Sequence, residues 1–154
     1  MSTIINASTS SGLVQTADNS GTLELQSNGT TQLSVSSTGV TFPAGVSVGY
    51  GTGSGGTVTQ VTSRTTGVTI NKPSGAITLV SAAGSTTIAS FTVTNSTVAA
   101  DDVVIVSQKS GTDLYRIYVT NVAAGSFKIS FATLSGTTTE QPVFNFVVTK
   151  GATA

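Results

Sequence analysis

The sequence predicts an all-β protein, in which a polar N-terminal β arm precedes a β-sandwich or jelly-roll-like domain. Composition is the first reason: the 154 residues include 29 Thr and 22 Ser, and β-branched side chains such as Thr fit a pleated sheet better than a helix. Spacing is the second, because short runs of alternating apolar and polar residues are separated by turn residues. No segment keeps apolar residues at helical spacing over three turns, so nothing beyond a short helical turn is expected.

The predicted arm covers residues 1–42 and contains three short alternating runs. Thr22–Gln26 and Gln32–Ser36 flank Asn28-Gly29, the strongest short hairpin signal, and Val40–Phe42 offers a third strand. Six apolar residues form a candidate stripe for contact with sister copies or with another protein: Leu23, Leu25, Leu33, Val35, Val40 and Phe42. Two apolar residues per strand cannot build a core in one chain. Either three copies wind around a threefold axis, or the arm becomes ordered only against another protein.

Residues 43–57 are interpreted as a Gly-rich linker. Within them, Gly51–Gly56 matches the pattern G-x-G-x-x-G of dinucleotide-binding turns. That motif requires a following helix, whose N-terminus binds the pyrophosphate. The residues that follow, Thr57–Thr62, read as a strand, so the sequence predicts no nucleotide site here.

Residues 58–154 are predicted to form the sandwich. Eight strand-like runs with intervening turn residues occur at the spacing typical of this architecture: Val58–Thr62, Val68–Ile70, Ala76–Val80, Thr87–Thr94, Val103–Ser107, Leu114–Thr120, Ser126–Leu134 and Val143–Thr149. Alternation places Phe127, Ile129 and Phe131 on one face. Val103–Val106 and Phe144–Val148 are apolar on both faces, which indicates central or doubly covered strands. Tyr118 shares the Arg116 face and is the one aromatic residue expected to be exposed.

Residue types for catalysis are scarce. The chain has no His and no Cys, which excludes a conventional hydrolytic triad and removes the commonest metal ligands. Asp101 and Asp102 are the only adjacent carboxylates, and we assign them to a turn because neighbours entering a strand point to opposite faces. The sequence therefore predicts no enzyme, no cofactor and no metal site.

Charge and hydropathy limit the partners. Charged residues make up 8% of the chain, six basic against six acidic, so no field attracts nucleic acid or an anionic membrane. No apolar run approaches the length of a membrane span, and Met1–Ala7 has neither the basic nor the apolar region of a secretory signal. We expect a protein that is made in the cytoplasm and stabilised by assembly, with its sheet edges shared between copies.

Three stretches carry a resemblance to a known group of proteins. Gln15–Phe42 resembles N-terminal segments of structural proteins in tailed bacteriophages. Gly53–Leu79 is similar to the entry of a β domain found in the same virions, and Pro142–Ala152 is similar to its close.

The resemblance implies a non-enzymatic virion protein on the capsid surface. In this interpretation a homotrimer binds the major capsid protein as a head decoration (cement) protein, and stabilises the shell. The chain is short, with one arm, one linker and one domain and no long fibrous repeat. This favours a decoration protein over the first alternative, a short tail or head fibre that contacts the host surface. A second alternative is a carbohydrate-binding module, because such modules share the sandwich architecture.

Overall fold

The computed structural model describes residues 21–152, and these contain thirteen strands and no helix. The all-β prediction is confirmed. The chain divides into two compact units, residues 1–49 and residues 50–154. The first 20 residues of the predicted arm, including the N-terminal segment examined for a signal, lie outside the described residues, as do residues 153–154. No helix capable of crossing a membrane occurs between residues 21 and 152.

The first unit is an antiparallel meander of three strands: β1 (Leu23–Ser27), β2 (Thr30–Ser36) and β3 (Gly39–Thr41), in the order β1-β2-β3. Asn28 (φ 50°) and Gly29 (φ 75°) form the two-residue loop between β1 and β2. Two consecutive positive φ angles are the mark of a type I′ turn, whose twist matches that of the flanking strands. The hairpin predicted from Asn28-Gly29 is therefore present.

The second unit contains ten strands: β4 (Gly55–Thr59), β5 (Val68–Thr69), β6 (Ser74–Thr78), β7 (Ala82–Ala83), β8 (Ala89–Thr94), β9 (Val103–Ser110), β10 (Tyr115–Ala123), β11 (Ser126–Thr133), β12 (Thr139–Glu140) and β13 (Val143–Thr149). Sheet 1 has the order β4-β6-β13-β9, and sheet 2 has the order β10-β11-β8-β5. A small ribbon pairs β12 with β7. Two pairs are parallel, β4 with β6 and β5 with β8.

Every second residue of these strands points into one core between the two sheets. Its largest fully buried members are Phe91, Phe127, Phe144, Ile77, Leu79 and Ile129. Phe131 contacts both Phe91 and Phe144 edge to face, with ring centroids 6.0 Å and 5.5 Å apart. The predicted face of Phe127, Ile129 and Phe131 is thus the buried one, as the period of two requires.

All eight predicted strands are present, with three differences. The sandwich begins at Gly55, three residues before the predicted boundary, because Gly55–Thr59 pairs with Ser74–Thr78. The strands β7 and β12 were not predicted, since two residues are too short for a periodic pattern.

The sequence predicted that the strands containing Val103–Val106 and Phe144–Val148 are central or covered on both faces. This prediction is wrong for β9. This strand is an edge strand of sheet 1, and Val103 and Ile105 are each 56% exposed. The neighbouring β13 is central in its sheet, and its outward-facing Val143 and Val147 are only half-buried.

Candidate interaction surface

The six residues of the predicted contact stripe lie in the meander of the first unit. Leu23 pairs with Val35, and Val35 pairs in turn with Val40. Leu25 pairs with Leu33 in the adjacent row. Directly paired residues share a sheet face, so these five side chains form one apolar patch. Phe42 follows β3 directly and, by alternation from Val40, continues the same face. We call this set of six residues the arm stripe.

The opposite face of the meander is polar and internally hydrogen-bonded. Glu24 pairs with Ser34, which pairs with Thr41. Thr31 donates its hydroxyl proton to Glu24 Oε2 at 2.9 Å, and Gln26 Nε2 donates to the same oxygen at 3.1 Å. The meander is therefore amphipathic, with its polar groups satisfied on one side and its apolar groups gathered on the other.

The arm stripe is open to solvent within the described residues. Leu23, Leu25, Val35, Val40 and Phe42 are all exposed, up to 58% for Val40. A three-stranded sheet needs its apolar face covered to be stable in water. Burying an aliphatic side chain fully contributes about 1.5–3 kcal/mol. This face is consequently the part of the first unit that gains most from contact with another surface.

The second unit holds the residues examined for catalysis, and Asp101 and Asp102 diverge as predicted. Asp101 is exposed, whereas the Asp102 side chain is buried and forms an ion pair with Lys150, Nζ to Oδ2, at 2.6 Å. Asp102 also accepts the backbone N–H groups of Ala99 (2.8 Å) and Gly151 (3.1 Å). These contacts fasten the end of β13 to the loop that precedes β9.

The surroundings of Asp102 keep its carboxylate charged. The N–H of Ala99 is the strongest influence, followed by the hydrogen bond from Lys150, and together they hold the pKa of Asp102 below its ordinary value. A stable carboxylate inside a saturated set of donors is suited to structure rather than to proton transfer.

A second polar cluster surrounds Arg64 at the ribbon of β7 and β12. The Arg64 guanidinium donates to the carbonyls of Val80 (3.0 Å), Ala82 (2.6 Å) and Glu140 (2.6 Å). It also donates to the Tyr115 hydroxyl at 3.1 Å, which itself donates to Glu140 Oε1 at 3.0 Å. One arginine thereby connects the segment that contains Val80 and Ala82 with Glu140 and with the Tyr115 side chain.

Asp113 belongs to the same polar cluster and binds two of its neighbouring segments. Its Oδ2 accepts the N–H of Thr138 at 2.9 Å, and its own N–H donates to Glu140 Oε1 at 3.1 Å. Gly136 lies so close that a Cβ there would overlap the Asp113 carboxylate. Among the described residues, no buried side-chain nitrogen or oxygen lacks a hydrogen-bond partner.

The pKa shifts in this cluster follow from its packing. Burial raises the pKa of Tyr115, and the hydrogen bond to Glu140 adds to the effect. Burial also opposes ionisation of Glu140, but the N–H groups of Thr112 and Asp113 and the Tyr115 hydroxyl outweigh it, so the pKa of Glu140 is lowered. Every group in the cluster has a protein partner, and the cluster ties loops together.

Two further sequence motifs are placed by the structure. Gly51–Gly56 runs directly into β4 rather than into a helix, so the positive end of a helix dipole is absent from this G-x-G-x-x-G pattern. Between residues 21 and 152, no three His, Cys, Asp or Glu side chains gather as a metal site would require.

Sequence reasoning missed two exposed apolar areas on the sandwich. One contains Val103 and Ile105 on β9, and the other contains Ile88, Leu114 and Leu134 beside β8, β10 and β11. The sequence did contain a signal for the second area, because Leu114 alternates with Tyr115 and Ile117, which are partly buried against the core. Tyr118 is 53% exposed, as predicted, but it is not the one exposed aromatic residue, because Phe42 (43%) and Tyr50 (45%) are exposed as well.

The chain matches no protein-family model, no curated protein and no solved structure.

Proposed function

We propose that the protein is a structural component of a bacteriophage particle, a head decoration protein that binds the shell as a homotrimer and stabilises it. Its partners in this proposal are two sister copies and the major capsid protein. The proposal combines the resemblance of Gln15–Phe42 to phage structural segments with the physical character of the arm stripe.

The exposed arm stripe is the observation that carries the proposal. The meander is a separate compact unit with a hydrogen-bonded polar face and an uncovered apolar face. Exposed apolar residues that gather into one contiguous patch mark a protein-interaction site. Around a threefold axis, each stripe would face the other two, and all three copies would bury their apolar residues together.

The composition of the sandwich supports a structural role. Its core is closed by aromatic contacts, and its two polar clusters are satisfied by protein groups. Only 8% of the residues in the whole chain are charged, so contacts made by its surface depend weakly on salt. Three such contacts held in one trimer gain avidity, even when each alone is weak.

Particles from which the protein has been removed provide the direct test. Decorated and stripped particles are heated in parallel, and release of packaged DNA is followed by dye fluorescence. Stripped particles should rupture at a lower temperature, because the bridges between neighbouring shell subunits are missing, and adding back purified protein should restore the original temperature. Adsorption to host cells should be the same for both.

The opposite pattern would support the fibre alternative. If stripping leaves the rupture temperature unchanged and reduces adsorption, the protein is a host-contacting fibre and not a decoration protein. A three-stranded meander at the N-terminal side of the chain would then be the attachment end of that fibre.

A further inference from the structure

The loop at the tip of the first hairpin combines a reactive pair of residues with open surroundings. Asn28 is the only one of the seven asparagines in the sequence that is followed by glycine. Asn28 and Gly29 are both exposed, and the Asn28 side chain forms no hydrogen bond within residues 21–152. A Cβ atom added to Gly29 would meet nothing within 4 Å. The side-chain carbonyl carbon of Asn28 is therefore accessible, and no side chain shields the backbone nitrogen that follows it.

The other asparagines in the described part of the chain are held or shielded. Asn95 is fully buried, and its Nδ2 donates to the carbonyl of Lys72 at 2.8 Å. Asn71 Oδ1 accepts a backbone N–H at 2.9 Å. Asn121 and Asn145 precede Val and Phe, and a bulky side chain there crowds the backbone nitrogen that follows the asparagine. Between residues 21 and 152, exposure and an unshielded neighbour coincide at Asn28.

The hairpin that carries this loop opens easily. A small sheet whose apolar face is uncovered is marginally stable in water, and β1 is exposed along its whole length. Segments with few buried contacts open locally while the rest of a protein stays folded. Opening releases Asn28 and Gly29 from their φ angles of 50° and 75°. Because glycine has no Cβ, its nitrogen can then approach the Asn28 side chain without a steric penalty.

We propose that Asn28 is a site of spontaneous deamidation in an arm that no other protein covers. The backbone nitrogen of Gly29 attacks Cγ of Asn28, and the new N–Cγ bond closes a succinimide ring. The Cγ–Nδ2 bond breaks, and the side-chain nitrogen leaves as ammonia with the proton that the Gly29 amide gives up to solvent. Water then adds its hydroxyl group to one of the two ring carbonyls and its proton to the Gly29 nitrogen. The product is an aspartate or an isoaspartate at position 28, and no atom is oxidised or reduced.

The isoaspartate product changes the turn itself. Its main chain runs through the side-chain carbons, so the loop becomes longer by one carbon atom. The type and length of a hairpin loop fix the register of the strands, which here pairs Leu25 with Leu33 and Leu23 with Val35. All four residues belong to the arm stripe. Deamidation would thus limit the time for which an uncovered arm keeps its stripe aligned.

Mass spectrometry of the full chain, aged in a mildly alkaline buffer and then digested, tests the site. The wild type should show the mass gain of deamidation in the peptide that contains Asn28, while Asn95 stays intact. Asn28→Gly is the matched control, because Gly-Gly suits the same turn and has no side-chain amide, and its peptide should lose the modification completely. Deamidation that begins at another asparagine, or an Asn28 that stays intact as long as Asn95, would overturn the proposal.

NMR spectroscopy tests the consequence for the arm. The isoaspartate fraction is separated by ion exchange and recognised by methylation with an isoaspartate-specific methyltransferase. It should lose the cross-strand contacts of Leu25 with Leu33 and of Leu23 with Val35. Fresh N28D, which has the same charge and an ordinary backbone, should keep both. An isoaspartate fraction that keeps both contacts would overturn the link between the modification and the arm stripe. Neither measurement requires a trimer or a particle, so its outcome is separate from that of the proposed function.

Discussion

At the scale of single residues, the sandwich depends on carboxylates that donors keep ionised. Asp102 accepts from Ala99, Gly151 and Lys150, and Glu140 accepts from Asp113 and Tyr115. Each has a pKa below its ordinary value. Both carboxylates lie at points where distant chain segments meet, so their ionisation is coupled to folding.

This coupling predicts loss of stability in acid. A depressed folded-state pKa stabilises the fold at pH values above the unfolded pKa, which is about 4 for a carboxyl group. The stabilisation is lost as the pH falls from about 4 through the lower folded-state value. Urea unfolding between pH 7 and pH 2 should show a steep decline in the free energy of unfolding below about pH 4.

Neutral variants locate the source of that decline. D102N and E140Q should be less stable than the wild type at pH 7 and should approach it at pH 2, which flattens the pH dependence. Asn121→Ala, at an exposed neutral side chain, is the control and should keep the wild-type slope. A D102N/E140Q chain with an unchanged slope would show that other groups dominate acid unfolding.

At the scale of elements, alternation and turn chemistry predicted most of the strands but not their order in the sheets. The two-residue period identified the buried faces of β10 and β11, and Asn28-Gly29 identified the first hairpin. Burial is decided by neighbours, however, and strand order is a long-range property. The sequence pattern around Val103–Val106 is the same for a covered strand and for an edge strand, which explains why the exposure of Ile105 was not predicted. The partners of Arg64 and Asp102 are distant from them in the sequence, so these contacts could not be predicted for the same reason.

The division into two units predicts that the sandwich folds without residues 1–49. A chain that begins at Tyr50 retains the complete core and the hydrogen bond from the Tyr50 hydroxyl to the Val148 carbonyl. We expect this truncated chain to keep its β circular dichroism and a cooperative thermal transition, and to fail to incorporate into particles because it lacks the arm stripe. The full chain, prepared in the same way, is the control.

The opposite results are equally informative. A truncated chain without cooperative unfolding would show that the sandwich needs residues 1–49. A truncated chain that decorates particles at full occupancy would move the docking role to the sandwich.

At the scale of the whole molecule, the central claim is that the arm stripe joins three copies. Leu25 and Val40 are both exposed in the described unit and would be buried at the threefold axis. Removing either side chain from the interface weakens the free energy of trimer association by about 1.5–3 kcal/mol per copy. A change of about 1.4 kcal/mol corresponds to a tenfold change in an equilibrium constant. The variant L25S/V40S should therefore dissociate at a far higher concentration than the wild type. Ser34 and Thr41, paired with each other on the polar face, supply the control S34A/T41A.

Sedimentation equilibrium over a range of concentrations tests this claim most directly. The account predicts that the full chain and S34A/T41A sediment at three times 15.3 kDa, and that L25S/V40S shifts toward the monomer mass. A full chain that stays monomeric at the highest concentration, or an L25S/V40S variant that stays as trimeric as the control, would contradict it.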